Sequence, residues 1–481
     1  MTRGAGSNTH HELMQQHRPC SATEVPAASA GKGVQASRKW FINLALMSFA
    51  SRCLIASTTF LALGVLADWP DFRGPWSNGH AAAPGDTNRL GLPLQWSETE
   101  NVKWKTAIPH RGWSTPVVLG QQIWLTTATE DGHDFFALCV DKDSGKILFN
   151  ERLFHAETPE PLGNKLNSYA SPSPVIEAGR VYVHFGSYGT ACLSTSDFKV
   201  LWKREDLPCR HFRGPGSSPV LFEDRLILSM DGIDVQYLVA LDKKTGKTVW
   251  KTDRTADFKD LEPSGKPIGD GDFRKCFGTP LIADVNGAKQ MFTIGSKAAY
   301  SHDPRTGREI WKVSHPAHSG ASRPLFDRGL AIFCTGNGPG EVLAVRPDGK
   351  GDVTGTHIVW RHARGFPRMP SPLWVNKLIF TLNDNGIASC LEAATGKEVW
   401  QERVGGEYSS SLLYADGRIY CFSQDGKITV LAPSPEYKVL ATSQLADGFM
   451  ASPAVSGKAL FLRTRTSLYR IEEGAQLQAA K

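Results

Sequence analysis

The sequence predicts an all-β protein, an eight-bladed β-propeller made of four-stranded antiparallel blades. The first observation behind this prediction is a phrase that recurs along the 481 residues. It opens on Ser or Thr before Pro and closes on a Thr-Gly-Lys-like turn followed by Trp, as between Ser371-Pro372 and Lys397–Trp400. The eight openers begin at Thr115, Ser173, Ser218, Thr279, Arg323, Ser371, Ser410 and Ser452.

The second observation is the period-two pattern inside each copy. Segments such as 180–185, 378–382 and 418–422 are rich in β-branched and aromatic residues, which is typical of strands. Turns that contain Gly or Asp separate them, so each copy has room for four strands. A unit of this kind cannot bury its apolar faces alone, and neighbouring copies must therefore pack against each other.

The two ends of the repeat region predict how the ring closes. The eighth copy ends without an outer strand, whereas Asn101–Trp104 matches the outer-strand pattern and precedes the first opener. Pairing these two segments would complete the last blade and leave no free sheet edge. We therefore expect a propeller over 101–472, preceded by an irregular segment at 68–100 and followed by a tail at 473–481.

A Trp ends the outer strand in six of the eight predicted blades. An aromatic side chain at the same place in successive blades is best explained as packing between neighbours, not as a cofactor site. These six residues are Trp104, Trp202, Trp250, Trp311, Trp360 and Trp400.

The distribution of charge separates a leader from the rest of the chain. The formal net charge is +6, but residues 1–67 hold six Lys/Arg and only two acidic residues, so the remainder is nearly neutral and no nucleic-acid partner is expected. The segment 1–67 combines a polar start, a basic flank and an apolar run that ends in small residues. It resembles a secretory signal peptide cleaved after about Ala67, with translation starting at Met1 or Met47. An uncleaved anchor over about 41–66 is the alternative, and would be the only membrane contact.

The cysteines and glycines provide no catalytic motif. Seven cysteines follow the leader without a CxxC or an adjacent pair, so buried thiols are expected. The string Asn383–Gly386 lacks the alternating acids of a calcium loop, and we interpret it as a turn. The glycine-rich Gly336–Gly340 lacks the lysine strand and catalytic loop of a protein kinase.

The opener, closer and spacing together resemble the pyrroloquinoline quinone (PQQ)-repeat propellers, the quinoprotein alcohol dehydrogenase-like superfamily, over about residues 69–471. The short blades are most similar to the non-enzymatic branch typified by the assembly protein BamB. The segment Trp69–Pro75 is similar to secreted propellers of planctomycete-type bacteria. The resemblance implies a scaffold without a cofactor, or alternatively a dehydrogenase that holds PQQ and Ca²⁺ on the propeller axis. A sensor propeller related to kinases, without kinase activity, is a further alternative.

Three consecutive connections between blades are longer than the others, and they predict the functional face. They fall at about 149–174, 202–219 and 250–280, and long loops on a rigid scaffold commonly carry recognition. We expect an exported monomer, periplasmic, on the cell surface or secreted, that binds a protein partner through this face. Arg and aromatic residues dominate such interfaces. The binding candidates are His110, Arg111, Trp113, His155, Tyr169, Arg210, His211, Arg213, Arg274 and Lys275, and no metal site or catalytic residue is predicted.

Overall fold

The computed structural model describes residues 68–83, 85–164 and 166–477. The leader expected at 1–67 and the last residues of the expected tail lie outside them. Nearly all the regular elements in these ranges are strands, and the single helical element in them is a 3₁₀ turn at Ile268–Gly271. Nothing helical there has the length and apolarity needed to span a membrane.

The strands form eight sheets, as predicted. Within a blade, the strands lie side by side in chain order, from a short inner strand to the outer strand. The first four blades contain β2 (Val117–Leu119), β3 (Gln122–Ala128), β4 (Asp134–Asp141) and β5 (Ile147–His155); β6 (Val175–Glu177), β7 (Arg180–His184), β8 (Thr190–Ser194) and β9 (Val200–Arg204); β10 (Val220–Phe222), β11 (Arg225–Asp231), β12 (Gln236–Asp242) and β13 (Thr248–Asp253); and β14 (Leu281–Val285), β15 (Ala288–Ile294), β16 (Ala298–His302) and β17 (Glu309–Ser314).

The remaining four blades follow the same order, except that the last one takes its outer strand from the start of the chain. They contain β18 (Leu325–Asp327), β19 (Leu330–Cys334), β20 (Val342–Val345) and β22 (Ile358–His362); β23 (Leu373–Val375), β24 (Leu378–Leu382), β25 (Ile387–Glu392) and β26 (Glu398–Arg403); β27 (Leu413–Ala415), β28 (Arg418–Phe422), β29 (Lys427–Leu431) and β30 (Val439–Gln444); and β31 (Ala454–Ser456), β32 (Ala459–Arg463), β33 (Ser467–Gln476) and β1 (Glu100–Ala107).

The ring closes through both ends of the repeat region. Strand β1 pairs antiparallel with β33, and Trp104 lies opposite Arg470. This confirms the predicted closure, and β33 continues to Gln476, past residue 472. The fourth blade has an addition, because the two-residue strand β21 (Gly351–Asp352) comes from the outer turn of the fifth blade and pairs in parallel with β17.

Each closing Trp contacts the outer turn of the next blade, and in four of the six cases it lies against the Gly of that turn. In each of the six blades the indole Nε1 donates a hydrogen bond of 3.0–3.3 Å to a main-chain carbonyl in the outer turn of the next blade. The accepting carbonyls belong to Lys142, Lys243, Pro304, Pro347, Ala393 and Ser434. A Cβ added to Gly396 would lie 2.5 Å from the ring of Trp360, and Gly396 also has a φ of +69°. The recurring phrase therefore describes one contact between blades.

The apolar core lies between adjacent sheets. The cluster at the ring closure joins the first, seventh and eighth blades, and it includes Trp104 of β1. It also contains Trp69 and Trp96 from the segment before β1. The irregular segment is thus packed into the propeller instead of extending from it.

Candidate functional site

The openers are linked around the axis by hydrogen bonds at six of their eight junctions, and we call this arrangement the opener ring. In this ring the main-chain N–H of one opener donates to the hydroxyl of the next, over 2.9–3.0 Å. The donor–acceptor pairs are Thr115–Ser173, Ser173–Ser218, Ser218–Thr279, Arg323–Ser371, Ser371–Ser411 and Ser411–Ser452. In the seventh copy the hydroxyl comes from Ser411, so Leu412 occupies the position that Pro has elsewhere.

The opener ring changes character at Arg323, which has no hydroxyl. Its guanidinium instead donates from Nε to the carbonyl of Pro280 in the preceding opener, at 3.0 Å, and from Nη1 to the carbonyl of Phe72 in the chain segment before β1. Nη1 also lies 3.4 Å from a carboxylate oxygen of Asp71. The side chain of Arg323 is 1% exposed, so this departure from the repeat is an internal contact.

Residues 69–81 pass through the centre of the propeller, and we call them the plug. Trp69 forms a two-way main-chain bridge with Val118 of β2, and the N–H of Ile176 in β6 donates to Pro70. At the other end of the plug, residues 79–81 bridge to Tyr414 of β27. The plug therefore contacts the inner strands of the first, second and seventh blades.

Arg73 anchors the middle of the plug. Its guanidinium donates to the carbonyls of Pro372 and Leu412, the matching positions in the openers of the sixth and seventh blades. It also donates to Asn78 within the plug, over 2.7 Å. These contacts fix the neighbouring Phe72, which forms part of the floor of a cavity.

This cavity, the funnel, has a volume of about 410 Å³ and lies on the axis above the plug, among the connections between blades. Every one of the eight connections contributes to its wall. The lining comprises Phe72, Trp113, Thr115, Asn164, Leu166, Asn167, Ser171, Ser173, Arg213, Gly216, Ser218, Asp272, Lys275, Phe277, Thr279, His318, Ser319, Ala321, Asn337, Met369, Ser409, Ser411, Met450 and Ser452.

One sector of the funnel wall is charged. Lys275, which is 4% exposed, donates from Nζ to the carbonyl and carboxylate of Asp272, and Arg213 lies 3.4 Å from the same carboxylate. Burial raises the pKa of Asp272, but the two cations outweigh it and hold that pKa below its usual value. Burial, with Lys275 nearby, lowers the pKa of His318 to about 4, so this imidazole is neutral at pH 7. The sector thus carries one net positive charge.

The structure brings five of the ten candidate residues to cavities. Trp113, Arg213 and Lys275 line the funnel. Arg111 and Tyr169 line an adjoining hollow of about 430 Å³, and Arg111 lies 4.9 Å from the Trp113 ring. The hollow and the funnel share Asn164 and Asn167 in their walls.

The other five candidates contact neighbouring side chains and do not line the funnel. Four of these contacts are polar, and one is a ring stack at 4.3 Å. The contacts are Phe136 for His110, Asp134 for His155, Glu160 for Arg210, Cys209 for His211 and Asp260 for Arg274.

Sequence reasoning missed the parts of the funnel that come from short connections and from the plug. His318 and Met369 belong to connections of ordinary length, Asn337 belongs to a hairpin of the fifth blade, and Phe72 lies in a segment without periodicity. The replacement of the opener hydroxyl by Arg323 was the one sequence signal that could have led to the plug.

The funnel does not fit PQQ held with Ca²⁺. Calcium requires several free carboxylate or amide oxygens, but the Asp272 carboxylate is already paired with cations. The side-chain oxygen of Asn167 accepts from Ser168 and Ser171, and that of Asn337 accepts from Arg368. Among the described residues there is no cluster of three His, Cys, Asp or Glu suited to a metal ion. The seven cysteines described are buried and free, so none supplies a disulfide to cover a quinone.

Comparison with known proteins identifies the family. A search of curated protein sequences gives no match to this chain. In solved structures, the fold is similar to a europium-containing methanol dehydrogenase (TM-score 0.63, 11% identity, 84% of this chain and 90% of that chain). It is also similar to a quinohemoprotein alcohol dehydrogenase from Comamonas testosteroni (0.62, 13%, 86% and 82%) and to BamB from Moraxella catarrhalis (0.54, 10%, 77% and 99%).

These structural likenesses show the fold alone, since the fold hosts both catalytic and non-catalytic proteins. The sequence family described as outer membrane protein assembly factor BamB matches residues 97–350 and 296–435, which is more than half of the chain. The chain therefore belongs to this family of PQQ-repeat β-propellers.

Proposed function

We propose that this protein is an exported scaffold that binds a protein partner through the funnel face and has no catalytic activity of its own. The proposal rests on the distribution of exposed large apolar side chains among the connections between blades. Four are exposed there, and all belong to the two longest connections, at 156–174 and 254–280. They are Leu166, Leu261, Ile268 and Phe273.

The chemistry of these two connections suits a binding surface. The connection at 254–280 is cross-linked internally by paired side-chain hydrogen bonds of 2.6 and 2.9 Å from Arg274 to Asp260. A rigid loop loses little conformational entropy on binding, and exposed apolar side chains beside charged ones supply contact area and orientation. Exposed apolar residues in the outer strands, in contrast, recur from blade to blade with the repeat itself.

The family supports the same proposal, since its description names an assembly factor. Export is part of the proposal and is supported by the signal-like leader at 1–67. We expect the mature protein to begin near Asp68, which N-terminal sequencing of the exported protein would test.

The experiment compares two double variants that each remove exposed apolar side chains. L261S/I268S changes the long connection before the fourth blade, and V439S/L440S changes the outer strand β30 as a matched control. Each variant is cross-linked in the producing cells, and recovered proteins are quantified. A true partner is recovered with the wild type and the control but falls at least about tenfold with L261S/I268S, the equivalent of 1.4 kcal/mol or more.

Two results would contradict the proposal. Equal recovery with the connection variant and the wild type would mean that the funnel face is not the binding face. Equal loss in both variants would mean that the recovered protein adheres to any exposed apolar surface. The dehydrogenase alternative is tested separately, by adding PQQ and Ca²⁺ to the wild type and following dye reduction, which we expect to be absent.

A further inference from the structure

Three buried arginines lie around the base of the funnel. Arg73 and Arg323 contact the floor through the plug, and Arg463 lies behind the wall, where Nη1 donates to the carbonyl and hydroxyl of Ser114 and to the carbonyl of Thr126. Arg73 and Arg463 are each 2% exposed. Ser114 links the wall residues Trp113 and Thr115, so the charge of Arg463 lies directly behind them.

Two of these three arginines, Arg73 and Arg463, have no carboxylate partner within the described ranges. Arg254 is equally buried, but two hydrogen bonds of 2.7 and 3.0 Å pair it with Asp231. Arg73 and Arg463, in contrast, donate to carbonyls and a hydroxyl, and no carboxylate contacts either of them within the described ranges. Only Arg323 has an acidic neighbour, Asp71.

The base and wall of the funnel therefore hold a surplus of positive charge. Five cations (Arg73, Arg213, Lys275, Arg323 and Arg463) face two carboxylates, those of Asp71 and Asp272. Burial lowers the pKa of Arg73 and of Arg463 to about 9, so both are still protonated at neutral pH. Buried charge without a counter-charge is costly, and an anion in the adjoining cavity would relieve that cost.

The wall also offers hydrogen-bond donors. Five hydroxyls of the opener ring each accept a main-chain N–H group and belong to residues that line the funnel, so each keeps its own hydrogen for donation. They are the hydroxyls of Ser173, Ser218, Thr279, Ser411 and Ser452. A wall of donors with surplus positive charge suits carboxylate oxygens, which only accept.

We propose that the funnel binds an acidic peptide segment of the protein partner, with its carboxylates directed to the cationic base. This inference rests on the proposed function, because it names the part of the partner that enters the funnel. A peptide is favoured over a small anion because the mouth has apolar contacts to offer. Leu166 lines the funnel and is exposed, and the exposed Phe273 packs edge-on against His318 of the wall at 5.0 Å.

The first test measures binding of two labelled pentapeptides by fluorescence anisotropy. One is Glu-Leu-Glu-Leu-Glu and the other is its neutral counterpart Gln-Leu-Gln-Leu-Gln. We expect the acidic peptide to bind at least about tenfold more tightly, with an affinity that falls as NaCl is added. Equal affinities, or no binding of the acidic peptide at the highest protein concentration, would overturn the inference.

Variants of two arginines in one connection locate the binding. Arg213 lines the funnel, whereas Arg210 lies outside it and pairs with Glu160 over 2.7 Å. R213Q should weaken the acidic peptide about tenfold, the equivalent of one charge-assisted hydrogen bond, whereas R213K should retain most of the affinity. R210Q should change it less than about twofold. Equal loss in R213Q and R210Q would place the peptide on the outer surface, and the inference would be wrong.

Two further arms separate this inference from the proposed function. If R213Q still captures the protein partner at the wild-type level, the acidic segment is wrong and the proposed function stands. If the acidic peptide binds as expected but no partner depends on Leu261 and Ile268, the proposed function is wrong, and the funnel is still a site for acidic peptides.

Competition with citrate separates a peptide ligand from a small anion. If citrate binds the funnel far more tightly than the acidic peptide does, the site is one for small carboxylates and the peptide inference is wrong.

Discussion

The same repeated phrase builds the rim of this propeller, formed by the outer strands and their turns, and its axis, formed by the openers. Residues that depart from the phrase have different structural consequences in the two regions. At the rim, six of the eight junctions use the same contact, a Trp that donates to the outer turn of the next blade. At the axis, Arg323 replaces one hydroxyl of the opener ring, and the plug crosses the ring. The connections that line the funnel above it differ in length. Regular copies position the blades, and the irregular ones create a site.

One of the two exceptions at the rim shows how a departure there can be compensated locally. Between the first and second blades Phe149 replaces Trp, and Phe198 takes the place of the turn glycine with a φ of +59°. The two rings stack at 5.2 Å and refill the space between the blades. At the axis, Arg323 is compensated instead by residues 71–72, a segment some 250 positions away in the chain.

The largest expected effect tests that distant compensation. R323M removes the cation that faces Asp71 and the donor to the Phe72 carbonyl, and leaves a largely buried carboxylate without its partner. Breaking a buried pair in this way costs about 3–5 kcal/mol, so we expect a loss of that size in urea denaturation. The matched control is R328M, which changes an exposed arginine of the same blade. Equal stability of the two variants would mean that Arg323 does not hold the plug.

The rim was predictable from sequence because its chemistry is local and repeated. The period-two strands, the turn glycines and the Trp spacing indicated eight blades, and the outer-strand pattern of Asn101–Trp104 predicted the closure that β1 and β33 confirm. Each of these signals lies within one copy or at its border, where spacing in the chain reflects spacing in the fold.

The axis was only partly predictable, because its contacts join distant parts of the chain. Loop length predicted the three long connections, and these supply Arg213 and Lys275 to the funnel. No periodicity marks the plug, and Arg323 in the sequence is only a weak copy of an opener. The contact between Arg323 and Asp71 joins two distant parts of the chain, and only the folded propeller shows it.

A smaller effect sharpens the account of the rim. Gly396 and Gly417 both have a φ near +70°, but a Cβ on Gly396 would lie 2.5 Å from Trp360, whereas one on Gly417 meets nothing within 4 Å. Alanine therefore adds the same backbone strain at both positions and a clash at only one. We expect G396A to lower the free energy of unfolding by about 1–3 kcal/mol more than G417A does. Urea denaturation measures both losses. Equal losses in the free energy of unfolding would show that Trp360 can move to accommodate the added methyl group without destabilising the protein.

The smallest expected effect tests whether the opener ring acts as separate bonds or as one unit. S218A removes the hydroxyl that accepts the N–H of Ser173, and S411A does the same for Ser371 on another side of the axis. Each should cost about 1 kcal/mol, since water in the polar funnel can replace part of the lost bond. Independent bonds predict that the double variant loses the sum of the two. A loss clearly beyond the sum would instead mean that the hydrogen bonds reinforce one another around the axis, so that the axis, like the rim, would be stabilised by the repeat as a whole.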